Sequence, residues 1–216
     1  MAALSKLVSD GVLASNLLTT LIEIMISFVL SVVLGIASAV VLDRNDWLNR
    51  ILSPFLTAFN SMPRIALGPL FILWFGIGIA SKVALAFSLG YFIMLLSTLG
   101  GLKNVDRDLL LMSRLFGASE IRLFRDVRLP WALPSIFAGL RLTLIYCSAG
   151  AVIGEMIAAE SGLGLLVQSF SGRFDVASVI ALIVVVALLV MALTALMDLA
   201  ERHLLEWSKG STDVPG

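Results

Sequence analysis

The sequence predicts an all-α membrane protein, a polytopic bundle of about five transmembrane helices. Three observations lead there. Hydrophobic residues make up 59% of the 216 positions and charged residues 14%, against about 45–50% and about 25% in soluble domains. A mean hydropathy of +1.03 is more apolar surface than one small core can hide. The apolar runs are long and do not alternate with polar residues, so they read as helices rather than barrel strands. Basic and acidic residues balance at 15 each, so no bulk attraction to nucleic acid is implied. The lone Cys147 excludes an internal disulfide and a cysteine zinc cluster.

The spans follow in order. A crossing helix needs about 20 mostly apolar residues. Leu17–Leu42 qualifies, interrupted only by Glu23, which lies near enough to the outer surface to be solvated. Ile51–Ser81 contains Arg64, Pro54, Pro63 and Pro69; its length suggests a surface segment and then a kinked helix from about Pro63. Val83–Leu102 is uncharged, Leu129–Ile157 is interrupted by Arg141 and Glu155, and Val176–Met197 is uncharged. Residues 1–16 lack the pattern of a signal peptide. They read either as an interfacial segment or as a frayed terminus. Residues 203–216 read as a polar cytoplasmic tail.

Five spans put the termini on opposite sides. With the N-terminus outside, inside segments carry ten Lys and Arg and outside segments three, Lys82 among them. That asymmetry predicts N-out, C-in.

The inside loop, about 103–130, is too long and regular for a plain connector. Asp106 or Asp108 can cap a first helix running to Phe116. Gly117 can end it, and Ser119 can cap a second, Glu120–Arg128, that stops before Pro130. Leu115, Phe116, Ile121, Phe124 and Val127 are apolar in a segment that faces water. Either they fold back on the helix ends or they dock a cytoplasmic partner.

Gly117, nine residues, then Val127-Arg128-Leu129-Pro130 resembles the loop signature of permease subunits of binding-protein-dependent type I ABC importers. The stretches Pro63–Gly78, Leu115–Ser119, Phe124–Ile136 and Gly162–Leu166 are similar to the nitrate/sulfonate/taurine branch of that family. The chain departs from the pattern at Leu111, Met112 and Ser113, where the signature has Glu-Ala-Ala. Branch members usually carry one more N-terminal span, so residues 1–16 are also readable as the stub of a missing span, ahead of a transmembrane domain at 17–202.

The resemblance implies the membrane subunit of an importer in a prokaryotic inner membrane. Its partners would be two ABC ATPases, a second permease chain (a homodimer), an extracytoplasmic solute-binding protein and the lipid bilayer. This chain would bind no cofactor and no metal and would not be an enzyme; ATP and Mg would be used by the ATPase, since no P-loop occurs here. Phe116, Ile121 and Phe124 would anchor the coupling helix in the ATPase. Glu120, Arg122, Arg125 and Asp126 would set register, with Leu115, Gly117, Ala118 and Ser119 completing the contact. Gly117, Pro130 and Pro134 would set the stiffness of this lever, with Pro63 and Pro69 as kink or gate positions. Intramembrane polar groups are candidates for the solute path. Glu155 either lines it or bonds a neighbouring helix, Arg64 either attracts an anionic solute or snorkels to the inner surface, and Tyr91 and Tyr146 either face the path or pack. Arg141 is expected to snorkel. The alternative function is an ATP-independent channel or secondary transporter, for which only Glu155 is a plausible relay group.

Overall fold

The computed structural model describes residues 11–204, with side chains to residue 201. Among these residues the chain is helical and contains no strand. Residues 205–216 of the tail and residues 1–10 of the N-terminal segment lie outside the described residues; residues 203 and 204 end the last helix.

α1 (Val12–Arg44) is 33 residues long, about 50 Å at 1.5 Å per residue and so longer than the hydrocarbon core. Residues 12–16, expected in the N-terminal segment, form its first turn. α2 (Asp46–Ser61) opens on Asn45, whose side chain accepts from the Leu48 N–H. Leu48, Leu52 and Leu56 pack on Leu42, Leu95 and Leu99, so α2 climbs back along α1 and α4. A 3-10 turn (Arg64–Leu67) and the short α3 (Gly68–Phe75) follow. α2 and the turn–α3 segment meet at a bend of 82°. The expected kinked helix from Pro63 is thus a broken span. Pro63 forces Met62 into extended backbone (ψ 136°), and the eight residues of α3 cover only about 12 Å.

α4 (Ile79–Lys103) returns toward the start of the loop. The loop folds as α5 (Arg107–Leu115) and α6 (Glu120–Leu123), and α7 (Leu129–Ile157) leads away from it. α8 (Leu163–Gly172), which the hydropathy pattern does not announce, is a short helix at the far end, and α9 (Val176–Leu204) closes the chain. Among the described residues four helices are long and apolar enough to cross a membrane, five if the bent pair is one span.

The core is the packing of α1, α4 and α7. Glycines let the backbones touch, as small residues do between membrane helices. A Cβ on Gly150 would lie 2.6 Å from Ala86 Cα, and one on Gly35 2.8 Å from Met94 Cβ. α9 covers one flank through Leu189, Leu193 and Met197. It leaves Ile180, Val184, Leu188 and Met191 bare, as a face toward lipid or a partner helix requires.

Candidate functional site

Three places in the fold gather the residues of interest: the loop hairpin, a cavity at the broken span, and a polar cluster at the far end.

The hairpin is built by local capping. Asp106 accepts from the Asp108 N–H at 2.8 Å and starts α5. Gly117 takes φ +80° and reverses the chain, a left-handed conformation that glycine adopts without steric cost. Ser119 accepts from the Arg122 N–H and starts α6, and Arg114 pairs with Glu120 at 3.0 Å across the turn. Leu115, Phe116 and Ile121 stand 86%, 85% and 76% exposed. Arg122, Arg125, Asp126 and Gly117 are exposed beside them, with Ala118 half-buried.

Two expectations are corrected here. Phe124 is half-buried against the core cluster that includes Leu102 and Ala132 and lies 4.9 Å under the Arg44 guanidinium, so it seats the hairpin on the bundle rather than standing free. The second helix does not stop before Pro130. Residues 124–128 widen into a π-turn, with the Leu129 N–H bonded to the Phe124 carbonyl, and the helix runs on to Ile157. Pro130 falls in the first turn of α7 and Pro134 inside it; neither ends the helix. Leu123, 1% exposed, is a hairpin anchor that sequence reasoning missed. Glu120 and Asp126, three residues to either side and neighbours at helical spacing, hid it within a polar stretch.

The cavity has a volume of about 310 Å³ and lies where α2 breaks. Asn60, Met62, Pro63, Arg64, Leu89 and Tyr146 line it. Arg64 does not snorkel. Its guanidinium sits at the middle of α4, 4.4 Å over the Phe92 ring. All five N–H groups have acceptors: Phe59 O, Ser88 O, Leu89 O, Asn60 O and Asn60 Oδ1. The cation caps the C-terminus of α2, where unpaired carbonyls favour positive charge, and it ties the break to α4. No donor remains for a solute, and no carboxylate is among these acceptors. Asn60 and Tyr146, the latter 47% exposed, are the other polar side chains in the lining. Tyr91 is elsewhere, packed on Phe87 and Phe92 with its hydroxyl donating to Ser38 at 3.0 Å. Pro69 is in the first turn of α3.

At the far end Glu155 is fully buried. Its carboxyl accepts from Thr20 Oγ1 at 2.7 Å and from the Gly164 N–H at 2.6 Å. Asn16 accepts from the Gly162 N–H and Thr20 from the Leu163 N–H. Together these side chains cap the N-terminus of α8. Glu23 is 1% exposed rather than solvated, and Lys82, counted above as a loop residue, is 4% exposed and donates to the Ile77 carbonyl. Glu23, Lys82 and Glu155 come from three helices, which is why no local pattern joined them. Glu155 therefore bonds a neighbouring helix and does not line the cavity. Arg141 also departs from expectation: it bonds Asp198 at 2.6 Å and Glu201 at 2.8 Å on α9.

The family described as binding-protein-dependent transport system inner membrane component matches residues 31–206. The chain is 37% identical over 161 residues to the riboflavin transport system permease protein RibX of Chloroflexus aurantiacus, covering 74% of this chain and 60% of that protein. It is 32% identical over 198 residues to the taurine transport system permease protein TauC of Escherichia coli K12, covering 92% and 72%. Its fold is similar to a chain of the MetNI methionine ABC transporter in an inward-facing conformation. The TM-score is 0.76 at 22% identity, over 94% of this chain and 98% of that one.

Proposed function

Because this chain belongs to the binding-protein-dependent transport system inner membrane components, we propose that it forms the solute path of an ATP-driven importer and couples through residues 103–130 to a separate ATPase. The observation that carries this reading is the hairpin: Leu115, Phe116 and Ile121 are bare on a capped, rigidly seated turn. A large apolar side chain held out on an ordered element is what a docking anchor needs. The membrane subunit would then change access by rigid-body motion as the ATPase pair closes. Two copies of this chain, two ATPases and an external solute-binding protein make up the assembly, set in a prokaryotic inner membrane.

The path would run past the broken span, since interrupted helices near the midplane expose polar groups to a cavity. The solute is small and, following the sulfonate and taurine branch, anionic. The charge on Arg64, balanced by no carboxylate, supports that class by its field rather than by direct hydrogen bonds.

Co-purification from membranes tests the coupling. Phe116→Asp with Ile121→Asp changes only exposed positions, so the chain should fold as before but no longer bring down an ATPase. Retention of the ATPase by this double variant, or failure of the unaltered chain to retain one in several mild detergents, would overturn the reading.

A further inference from the structure

The C-terminal end of α1 meets the hairpin at two points. Asp43 Oδ2 accepts from Arg128 Nη1 at 3.0 Å, and the Asp43 side chain is only 5% exposed. The next residue, Arg44, holds its guanidinium 4.9 Å over the Phe124 ring. Phe124 and Arg128 are the first and last residues of the π-turn. Two consecutive residues of α1 therefore hold both ends of the segment that joins the hairpin to α7. A cavity of about 480 Å³ lies beside this joint, lined by Asp43, Arg44, Arg114, Glu120, Phe124 and Arg128.

Neither contact fixes an angle. The ion pair is a single N–H···O bond, not the two-point fork that adds geometric specificity. Arg128 Nε is buried with no partner among the described residues. A cation is attracted to the face of a ring anywhere within about 6 Å of the centroid, so a guanidinium turns over it without losing the contact. The opposite end of the same two helices is held differently. There Thr20 of α1 donates to Glu155 of α7 at 2.7 Å, and Asn16 of α1 accepts from the Gly162 N–H at 2.6 Å. Short, directional bonds of this kind are lost on a small displacement. One end of the α1–α7 pair tolerates rotation and the other does not.

We propose that Asp43 and Arg44 are positioning residues: with Arg128 and Phe124 they form a pivot that keeps α1 joined to the hairpin end of α7 while the two helices change angle. A load on the hairpin then reaches α1 as well as α7, and the cavity beside the joint leaves the hairpin room to swing. Asp43 is nearly out of water, so salt screens its attraction for Arg128 much less than it would a surface pair. This inference concerns contacts within the chain and does not depend on what the chain transports or on the ATPase.

The test is double electron–electron resonance between nitroxide pairs on the full-length chain in lipid nanodiscs, in a Cys147→Ser background. One pair, Val41→Cys with Leu115→Cys, spans the pivot. The other, Leu18→Cys with Ile157→Cys, spans the opposite end; all four positions are exposed. The parent should give one narrow distance for each pair. Asp43→Leu leaves Arg128 without its carboxylate, so the pivot pair should lose its narrow distance while the far pair keeps its own, and Asp43→Glu should restore it. Thr20→Val removes the hydroxyl bonded to Glu155 and should do the reverse, broadening the far pair and sparing the pivot pair. A pivot pair unchanged in Asp43→Leu, both pairs broadening together, Asp43→Glu no narrower than Asp43→Leu, or a Thr20→Val variant that moves the pivot pair or leaves the far pair unmoved would each overturn the proposal. Should Asp43→Leu fail to fold, Phe124→Leu decides, because it keeps an apolar seat and removes only the ring under Arg44: the pivot pair must broaden in it and the far pair must not.

Discussion

Replacing Arg64 separates its hydrogen bonds from its charge. Arg64→Lys keeps the charge, whose cost in hydrocarbon is about 2.5–3.5 kcal/mol at least. An ammonium has only three N–H groups, so at least two of the five bonds of Arg64 are lost. Each bond from a charged donor contributes about 1.5–3 kcal/mol, which puts the lysine variant about 3–6 kcal/mol below the parent. Arg64→Met loses all five bonds but also sheds the cost of the charge. The Ser88 and Leu89 carbonyls lie inside α4, where helical N–H partners remain to them, and that of Phe59 keeps the Met62 N–H. Only the two Asn60 oxygens are stranded, at about 1–3 kcal/mol each. Set against the cost of the charge, which is no longer incurred, the net loss is about 1 kcal/mol, less than for lysine. Thermal unfolding of the purified proteins, followed by tryptophan fluorescence, should therefore rank parent, then methionine, then lysine. A lysine variant as stable as the methionine one, or more so, would refute the claim that Arg64 acts as a five-point cap.

Three other outcomes are expected. Gly90→Ala places a Cβ 2.5 Å from Cys147 Sγ and 2.8 Å from Ser31 Oγ; the overpacking should cost about 1–3 kcal/mol and lower the unfolding temperature. Arg141→Gln removes partly exposed pairs to Asp198 and Glu201, so it should cost only about 0.5–1 kcal/mol while raising hydrogen exchange at the end of α9. Asp175, which accepts from the Ser178 hydroxyl and N–H at the start of α9, has its carboxyl held below the usual range chiefly by that hydroxyl. Its contribution is present at neutral pH and lost as pH falls through the lowered value, so exchange in the first turn of α9 should rise in acid and Asp175→Asn should remove that rise.

Much of this molecule is local, and the local part is legible in sequence. The hairpin caps at Asp106, Gly117 and Ser119 are read from single residues because each acts on backbone two or three positions away. Span positions follow from hydropathy for the same reason. Hydropathy does not tell lipid from protein, however, so Glu23 and Lys82 looked like solvated ends when they are 1% and 4% exposed; their partners are on other helices. Pro130 reads as a stop because the π-turn that absorbs its missing N–H depends on the five residues before it, not on the proline. Arg64 sits beside the break as the prolines suggested, but its acceptors on α4 lie 24 and 25 residues away, beyond any spacing rule.

The helix that passes unbroken through Pro130 has a mechanical consequence. Glu120–Ile157 is 38 residues, about 57 Å long at 1.5 Å per residue. Its first turn belongs to the hairpin and its last to the Glu155 cluster. Such a rod has angular gain: one degree of tilt about its lower end carries the upper end sideways by about 1 Å. The bond between Thr20 and Glu155, 2.7 Å in length, does not survive a displacement of that size. A touch at one pole of the molecule is thereby amplified into a broken contact at the other, with no intermediate relay of side chains. The π-turn at Phe124–Arg128, where the helix departs from α geometry, lies at the hairpin end of the rod.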